Sequence, residues 1–412
     1  MQELLTALEF VPGSPFQLGL ETLLHAAFLG IDLNPLGNRL IAHLAQFPED
    51  AVRYMDLSFV LQIGGNESMA ATLQREALRL QRHFLLPTAA GEPALRLLAI
   101  MAPGNFMANT PLEFLVSRGD IALEALYVMP GEPLPQQLPP HDVLFVAVGE
   151  SASTRDLLAD LCAAVGHWKA PLLNHPMHSL CLARDTVSVI LNDAQAIQLP
   201  LTARLSRREL EQLAGGEPER DFLADAAWPL IARPLDSHAG KGLERLDDRA
   251  ALQAYLVRHE GVPEFYLSSF VDYRSGDGLF RKYRIVLIEG VPYLCHMAIS
   301  SHWMIHYLNA DMTERPERRA EEARVMLDFE NGFARRHRQA FAELHQAFPL
   351  DYFGIDCAET ADGSLLVFEV DTGMIVHAMD PVDMFPYKHA AMRKVFDAFQ
   401  RMVRKAAGSA HA

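Results

Sequence analysis

Residues 351–374, DYFGIDCAETADGSLLVFEVDTGM, constrain the fold more than any other stretch of the chain. Asp356 ends an apolar run, Asp362-Gly363 is a strong hairpin-turn pair, and SLLVFEVD returns as a second strand. Strand alternation points Glu369 and Asp371 to the same side. Two antiparallel strands joined by this turn bring Asp356 opposite Glu369 and Asp371. Three carboxylates on one sheet face repel one another unless a cation lies between them. Hard oxygen donors on a rigid sheet suit Mg²⁺, with Mn²⁺ also admissible. A polar face open to water is the plainer alternative, but Leu365, Val367 and Phe368 favour a buried hairpin.

The chain has 412 residues, enough for two to four packed domains. A net charge of −16 argues against nucleic acid or an anionic membrane as the general partner. Cys162, Cys181, Cys295 and Cys357 are scattered without metal-ligand spacing and read as reduced, mostly buried thiols. The start, MQELLTALEF, lacks the pattern of a signal peptide, and no apolar run is long enough to span a bilayer. A cytoplasmic location is expected, and a homodimer stays open.

A mixed α/β and α+β multidomain organisation follows from the periodicities. Residues 1–90 read as helical, with Leu57, Leu61, Leu73, Ala77 and Leu80 at helical spacing and a break at Gly64-Gly65. Residues 91–175 alternate apolar strand candidates (94–102, 121–129, 142–149, 170–174) with helical stretches, which predicts a small parallel sheet. Residues 176–412 form a larger α+β region. Its strands are expected at 229–233, 265–270, 283–289, 292–299 and 365–370, and its helices at 206–214, 247–258, 316–346 and 387–405. The Arg- and Glu-rich 316–346 stretch reads as a solvated helix face.

Two further pieces carry chemistry. In WPLIARPLDSHAGKGLERL (228–246) a strand runs into a loop holding Ser237, His238, Gly240, Lys241 and Gly242. Glycines let backbone N–H groups approach phosphates, and Lys241 and Arg233 offer charge-assisted contacts; the spacing is not that of a Walker A loop. In ISSHWMIHYLNADM (299–312), Ser301, His302, Trp303, His306, Tyr307 and Asn309 gather polar and aromatic groups. A histidine there, His302 first, is a candidate base for an attacking amine. His377 follows the hairpin and faces the same region in this reading, whereas mid-strand His296 reads as structural.

Taken in order, these pieces resemble the ATP-grasp superfamily, particularly RimK-type glutamate ligases and glutathione synthetases. Asp356, twelve intervening residues and Glu369-Val370-Asp371 match that family's Asp, twelve residues, Glu-x-Asn, with Asp in the usual Asn position. The resemblance implies ATP and Mg²⁺ held by Asp356, Glu369 and Asp371. It implies an ATP-grasp domain over 176–412, a preceding α/β domain over 91–175, and phosphate contacts from Arg233 and the 237–242 loop. Ser269, Phe270 and Val271 take the place of the adenine hinge, with Asp272 near the ribose. Arg284 takes the place of the family's arginine at a strand pair, with Lys282 where an acid is usual. In LARDTVSVIL (182–191), Thr186 stands where the family has a phosphate-binding lysine, and Arg184 is the candidate replacement. Residues 57–78 resemble one degenerate tetratricopeptide repeat.

The implied activity is an ADP-forming carboxylate–amine ligase working through an acyl phosphate on a small molecule or amino acid. A peptide- or protein-modifying ligase and a non-catalytic nucleotide-binding scaffold are the alternatives.

Overall fold

In the computed structural model, residues 2–409 are described except 89–91, 118, 169, 225, 236, 238–239 and 306–309. The chain opens with helices α1 (Gln2–Ala7), α2 (Leu20–Phe28), α3 (Asn34–Leu44), α4 (Ala51–Ile63) and α5 (Glu67–Leu80). Asp50 and Asn66 accept the Arg53 and Met69 N–H groups, so α4 and α5 each start with a side-chain cap. Between them Gly65 turns the chain at φ 80°.

Strands β1 (His83–Leu85), β2 (Leu95–Met101), β3 (Ile121–Tyr127), β4 (Val143–Val146) and β5 (Leu172–Leu173) form the first sheet in the order β1-β3-β2-β4-β5. Its last four members are parallel, and β1 runs antiparallel to β3. Helices α6 (Leu112–Val116), α7 (Arg155–Ala164) and α8 (Pro176–Ser179) connect these strands to the larger region.

That region continues through α9 (Arg184–Ile190), β6 (Ile197–Gln198), β7 (Thr202–Ser206), α10 (Arg207–Gly215), β8 (Leu230–Pro234), β9 (Glu244–Leu246) and α11 (Arg249–Arg258). It then runs through β10 (Glu264–Ser269), β11 (Phe280–Ile288), β12 (Val291–Ser300), α12 (Pro316–Leu327), α13 (Phe333–Arg336) and α14 (Arg338–Ala347). It ends with β13 (Tyr352–Glu359), β14 (Leu365–Asp371) and α15 (Pro386–Ser409). The strands make a four-stranded sheet, β7-β10-β8-β9, and a five-stranded sheet, β12-β11-β13-β14-β6. A cleft of about 920 Å³ is lined by residues of both sheets.

One apolar core joins the N-terminal helices (Leu23, Met55), one face of the first sheet (Leu97, Phe145) and the last helix (Phe399). The blocks expected at 1–90 and 91–175 therefore share a core, and β1, from before the expected boundary, pairs into the sheet. Helix α15 returns across the molecule to close it, with Phe145 and Phe399 rings 5.9 Å apart. A separate core under the five-stranded sheet gathers Ile285, Phe341, Phe353, Ile355 and Val367.

The expected single helix at 316–346 is three, broken where Gly332 N–H turns back to Asp328 O at 2.7 Å. Nor is it simply a solvated face. Arg318 and Glu322 are buried, and they bond the Ile299 carbonyl (2.9 Å) and the Met297 N–H (3.0 Å). These long charged chains satisfy backbone groups that the end of β12 leaves open. Among the described residues no helix is long and apolar enough to cross a membrane, and all four cysteines carry free thiols.

The N-terminal loop is pinned by a buried ion pair. Arg53 and Asp56 are 1% and 0% exposed and 2.8 Å apart. Arg53 also donates to the Phe16 carbonyl at 2.7 Å, and Asp56 accepts the Leu18 N–H at 2.9 Å. Asp56→Ala leaves that guanidinium buried without its counter-charge. It should cost about 3–5 kcal/mol, read from the urea midpoint.

Burial pushes Glu113, which caps the Glu21 N–H at 3.1 Å, up to about 8. Between its unfolded and folded values Glu113 holds a proton that the unfolded chain has released. Stability should therefore fall as pH rises from roughly 4 to roughly 8. Glu113→Gln should flatten that slope in unfolding curves taken at stepped pH.

Candidate active site

The floor of the cleft is a row of charged positions across four strands. His296 on β12 pairs in register with Arg284 on β11, Arg284 with Asp356 on β13, and Asp356 with Glu369 on β14. Plain alternation would not put them all on one face. On β14, Leu365 and Val367 enter the core beneath the sheet, so the next residue on that side would be Glu369. A bulge prevents this: Cys357 pairs with Val367 and Asp356 with Glu369, leaving Phe368 as the extra residue. Phe368, Glu369 and Asp371 then all line the cleft, and Val370 returns to the core. A second bulge on β12, at Cys295, does the same for His296.

Each carboxylate on this floor is answered in its own way. Arg284 grips Asp356 with two bonds, Nε to Oδ1 at 2.8 Å and Nη2 to Oδ2 at 3.0 Å, and Lys282 Nζ adds a third at 2.9 Å. Burial alone would raise the Asp356 carboxyl, but these two cations hold it well below the usual carboxylate range. Arg184, the first residue of α9, meets Glu369 at 2.6 Å. It also donates to the Phe368 carbonyl at 3.1 Å, at the bulge. Against burial, Arg184 keeps Glu369 below its ordinary value. Asp371 accepts the Gly373 N–H at 2.8 Å; burial and the neighbouring Glu369 push it up to about 6.

As these side chains stand, no group of three or more His, Cys, Asp or Glu among the described residues is placed to hold a metal ion. The convergence expected of Asp356, Glu369 and Asp371 is thus one of position on a shared face. Asp356 and Glu369 are each paired with cations of their own.

Over the floor stands the β8–β9 hairpin with its glycine loop. Arg233 lines the cleft and donates to Ser237 Oγ at 3.2 Å and to the Ser237 carbonyl; the Ser237 hydroxyl donates to Pro234 O at 2.8 Å. Gly240 and Gly242 both have positive φ, 74° and 67°, and a Cβ on Gly242 would stand 2.7 Å from Pro234. Glycine is required there by backbone and by space. Lys241 lines the cleft, and its ammonium lies 3.1 Å from Glu67 at the start of α5. His238 lies outside the described residues. Ser269, Phe270 and Val271 line the cleft where β10 leaves its sheet, with the Arg245 guanidinium 4.5 Å from the Phe270 ring. Asp272 departs from expectation: it is exposed, paired with Arg274, and is not part of the lining.

The stretch 299–312 is divided. Trp303 lines the cleft, edge-on to Phe270 at 5.8 Å. Ser301 and His302 are exposed and do not line it. The His302 Nδ1 accepts the Met304 N–H at 3.2 Å, a local turn that keeps the ring outside, so His302 is not placed as a base. His306, Tyr307 and Asn309 lie outside the described residues. His377 does line the cleft. Sequence reading missed Asp380 and Lys388, which line the cleft, and the α2 residues Leu24 and Phe28, which line it too, Phe28 with its ring 5.7 Å from His377. A lysine two residues into a proline-opened helix, amid apolar neighbours, was the available signal for Lys388. Nothing local marks Leu24 or Phe28. His296, read as structural, sits on the floor.

The segment after β14 is wedged tightly. A Cβ on Gly373 would stand 2.7 Å from the Met107 carbonyl oxygen. Gly373→Ala should therefore cost about 1–3 kcal/mol in urea unfolding, because backbone must shift to admit it.

No family model matches the chain, and no curated protein matches it in sequence. Solved structures similar in shape include a D-alanine–D-alanine ligase from Bacillus anthracis complexed with ATP. It is 14% identical with a TM-score of 0.46, over 77% of this chain and 99% of that one. A RimK domain ATP-grasp protein from Sphaerobacter thermophilus is 15% identical with a TM-score of 0.41, over 74% and 99%. A D-Ala:D-Ser ligase from Enterococcus faecalis is 11% identical with a TM-score of 0.46, over 75% and 99%. At that distance, what the cleft can do has to be argued from its own side chains.

Proposed function

We propose that the chain is an ATP- and Mg²⁺-dependent carboxylate–amine ligase acting on small molecules or amino acids. The row Arg284–Asp356–Glu369–Arg184 on the cleft floor, beneath a glycine-rich loop, carries this reading. In it, residues 176–412 supply the nucleotide and phosphate groups, and 1–90 and 91–175 complete the walls. The motif resemblance at Asp356, Glu369 and Asp371 supports the same conclusion.

The site's residues divide the work by charge. Arg184, Arg233 and Lys241 neutralise the polyphosphate, and the Ser269–Val271 edge offers backbone groups to the base. Glu369 and Asp371, two residues apart on one face with carboxylate oxygens toward the cleft, suit a hard divalent cation. When bound, that ion would supply charge neutralisation on the phosphates. A substrate carboxylate oxygen attacks the γ-phosphorus and ADP departs with the bridging electron pair. The amine nitrogen then attacks the acyl carbon, the C–O bond to phosphate breaks, and the amine proton leaves with the phosphate. Arg284 and Lys282 lie where negative charge develops in both steps. The glycine loop excludes water from the acyl phosphate.

The test is Mg²⁺-dependent ADP release from ATP against pools of amino acids and short peptides, with EDTA abolishing it. Glu369→Gln should lower kcat by about 10²–10³-fold, the scale of losing one charge-stabilising group. ATP binding with no ADP under any condition would sink the ligase reading.

A further inference from the structure

The part of the cleft around His377 has a composition of its own. Helix α2 brings Leu24 and Phe28 to it, and the Phe28 ring lies 5.7 Å from His377. The same lining takes in a buried charge cluster that acts on His377. Lys388 is 3.3 Å from Asp380 and 3.5 Å from Glu322, and all three are nearly inaccessible. Glu322 is held by the Met297 N–H at 3.0 Å and the Tyr387 hydroxyl at 2.7 Å as well. Asp380 lines the cleft and Glu322 does not. Among the described residues two carboxylates share this ammonium; burial raises the carboxyl of Glu322, the one that does not face the cleft.

His377 adds no charge to this cluster. Burial pushes the ring down to about 4, so it is neutral near pH 7. Its Nδ1 accepts the Met379 N–H at 3.2 Å, which leaves the ring proton on Nε2. In this state His377 is a hydrogen-bond donor rather than a base.

We infer that this part of the cleft is the acceptor chamber and takes a small amine with an apolar side chain; Asp380 receives the ammonium and Phe28 sets the side-chain size. The assignment rests on the ligase reading for the word acceptor, but the binding it describes needs no turnover. It gives the N-terminal helices a role as one wall of a small-molecule site rather than as a landing surface for a peptide. An ammonium pairs there with Asp380, the carboxylate that faces the cleft, and its carbon body meets Leu24 and Phe28.

The experiment is saturation-transfer NMR on the full chain with glycine, alanine, leucine, phenylalanine and N-acetyl-leucine, with ATP affinity measured in parallel. Leucine should bind at least about 10-fold more tightly than its N-acetyl form or glycine, the range a few buried groups can enforce. Asp380→Asn should remove the discrimination against N-acetyl-leucine. Phe28→Ala should shift preference toward phenylalanine by about 10-fold, and Phe28→Trp should shift it toward alanine. The Trp variant keeps the test decisive if the Ala variant melts. Preferences within twofold of wild type in both Phe28 variants, or no binding by any free amino acid, would overturn the proposal. Loss of ATP binding alone would instead count against the ligase reading and leave the chamber standing.

Discussion

Everything at the cleft depends on how charge is balanced on a buried sheet face. Asp356, Glu369 and Asp371 are too close to share that face uncompensated, and burial raises the energy of each anion further. The fold answers with Arg284 and Lys282 from the adjacent strand, and with Arg184 from the first turn of α9. Adding Arg233 from the facing sheet gives four cations against three carboxylates. A floor with that surplus is suited to an incoming polyanion, and its geometry is already fixed by the pairs that neutralise it.

The two bulges make that balance possible. The sheet must put an apolar face on Phe353, Ile355 and Val367 and a charged face on the cleft. A strand of strict period two cannot change which parity faces the cleft in mid-course. Inserting Phe368 on β14 and Cys295 on β12 makes that change at the level of Arg284 and Asp356. The bulge also offers the Phe368 carbonyl to Arg184, so one guanidinium fixes both the carboxylate and the backbone irregularity that delivers it.

This explains what was legible in the sequence. The hairpin and the placement of Asp356, Glu369 and Asp371 on one side depend on local turn chemistry and spacing, and the strands appear close to where apolar runs predict them. The bulges do not follow from periodicity, because SLLVFEVD alternates acceptably by itself. The polar run around His302 showed chemistry without direction: a side chain bonded to its own turn leaves the cleft whatever its pKa. Asp380 and Lys388 stand more than three hundred residues from the α2 wall, and no local pattern connects the two segments. The helix at 316–346 failed for the opposite reason. Its charges looked like solvent-facing residues, yet Arg318 and Glu322 are the partners of buried backbone.

The use of arginine at two of these positions fits the same logic. A lysine would give a point charge, whereas Arg184 divides its fork between Glu369 and a carbonyl. That reach lets a residue at the start of α9 do what Thr186, one half-turn on, cannot. Arg233 carries the argument further. Burial, and after it the charge of Arg184, lower its affinity for its proton to about 10. A guanidinium penalised in this way, on the wall of a cleft whose nearest carboxylate is already committed to another arginine, gains most from an added anion. An anion placed between Arg184 and Arg233 would offset that penalty for both guanidiniums at once.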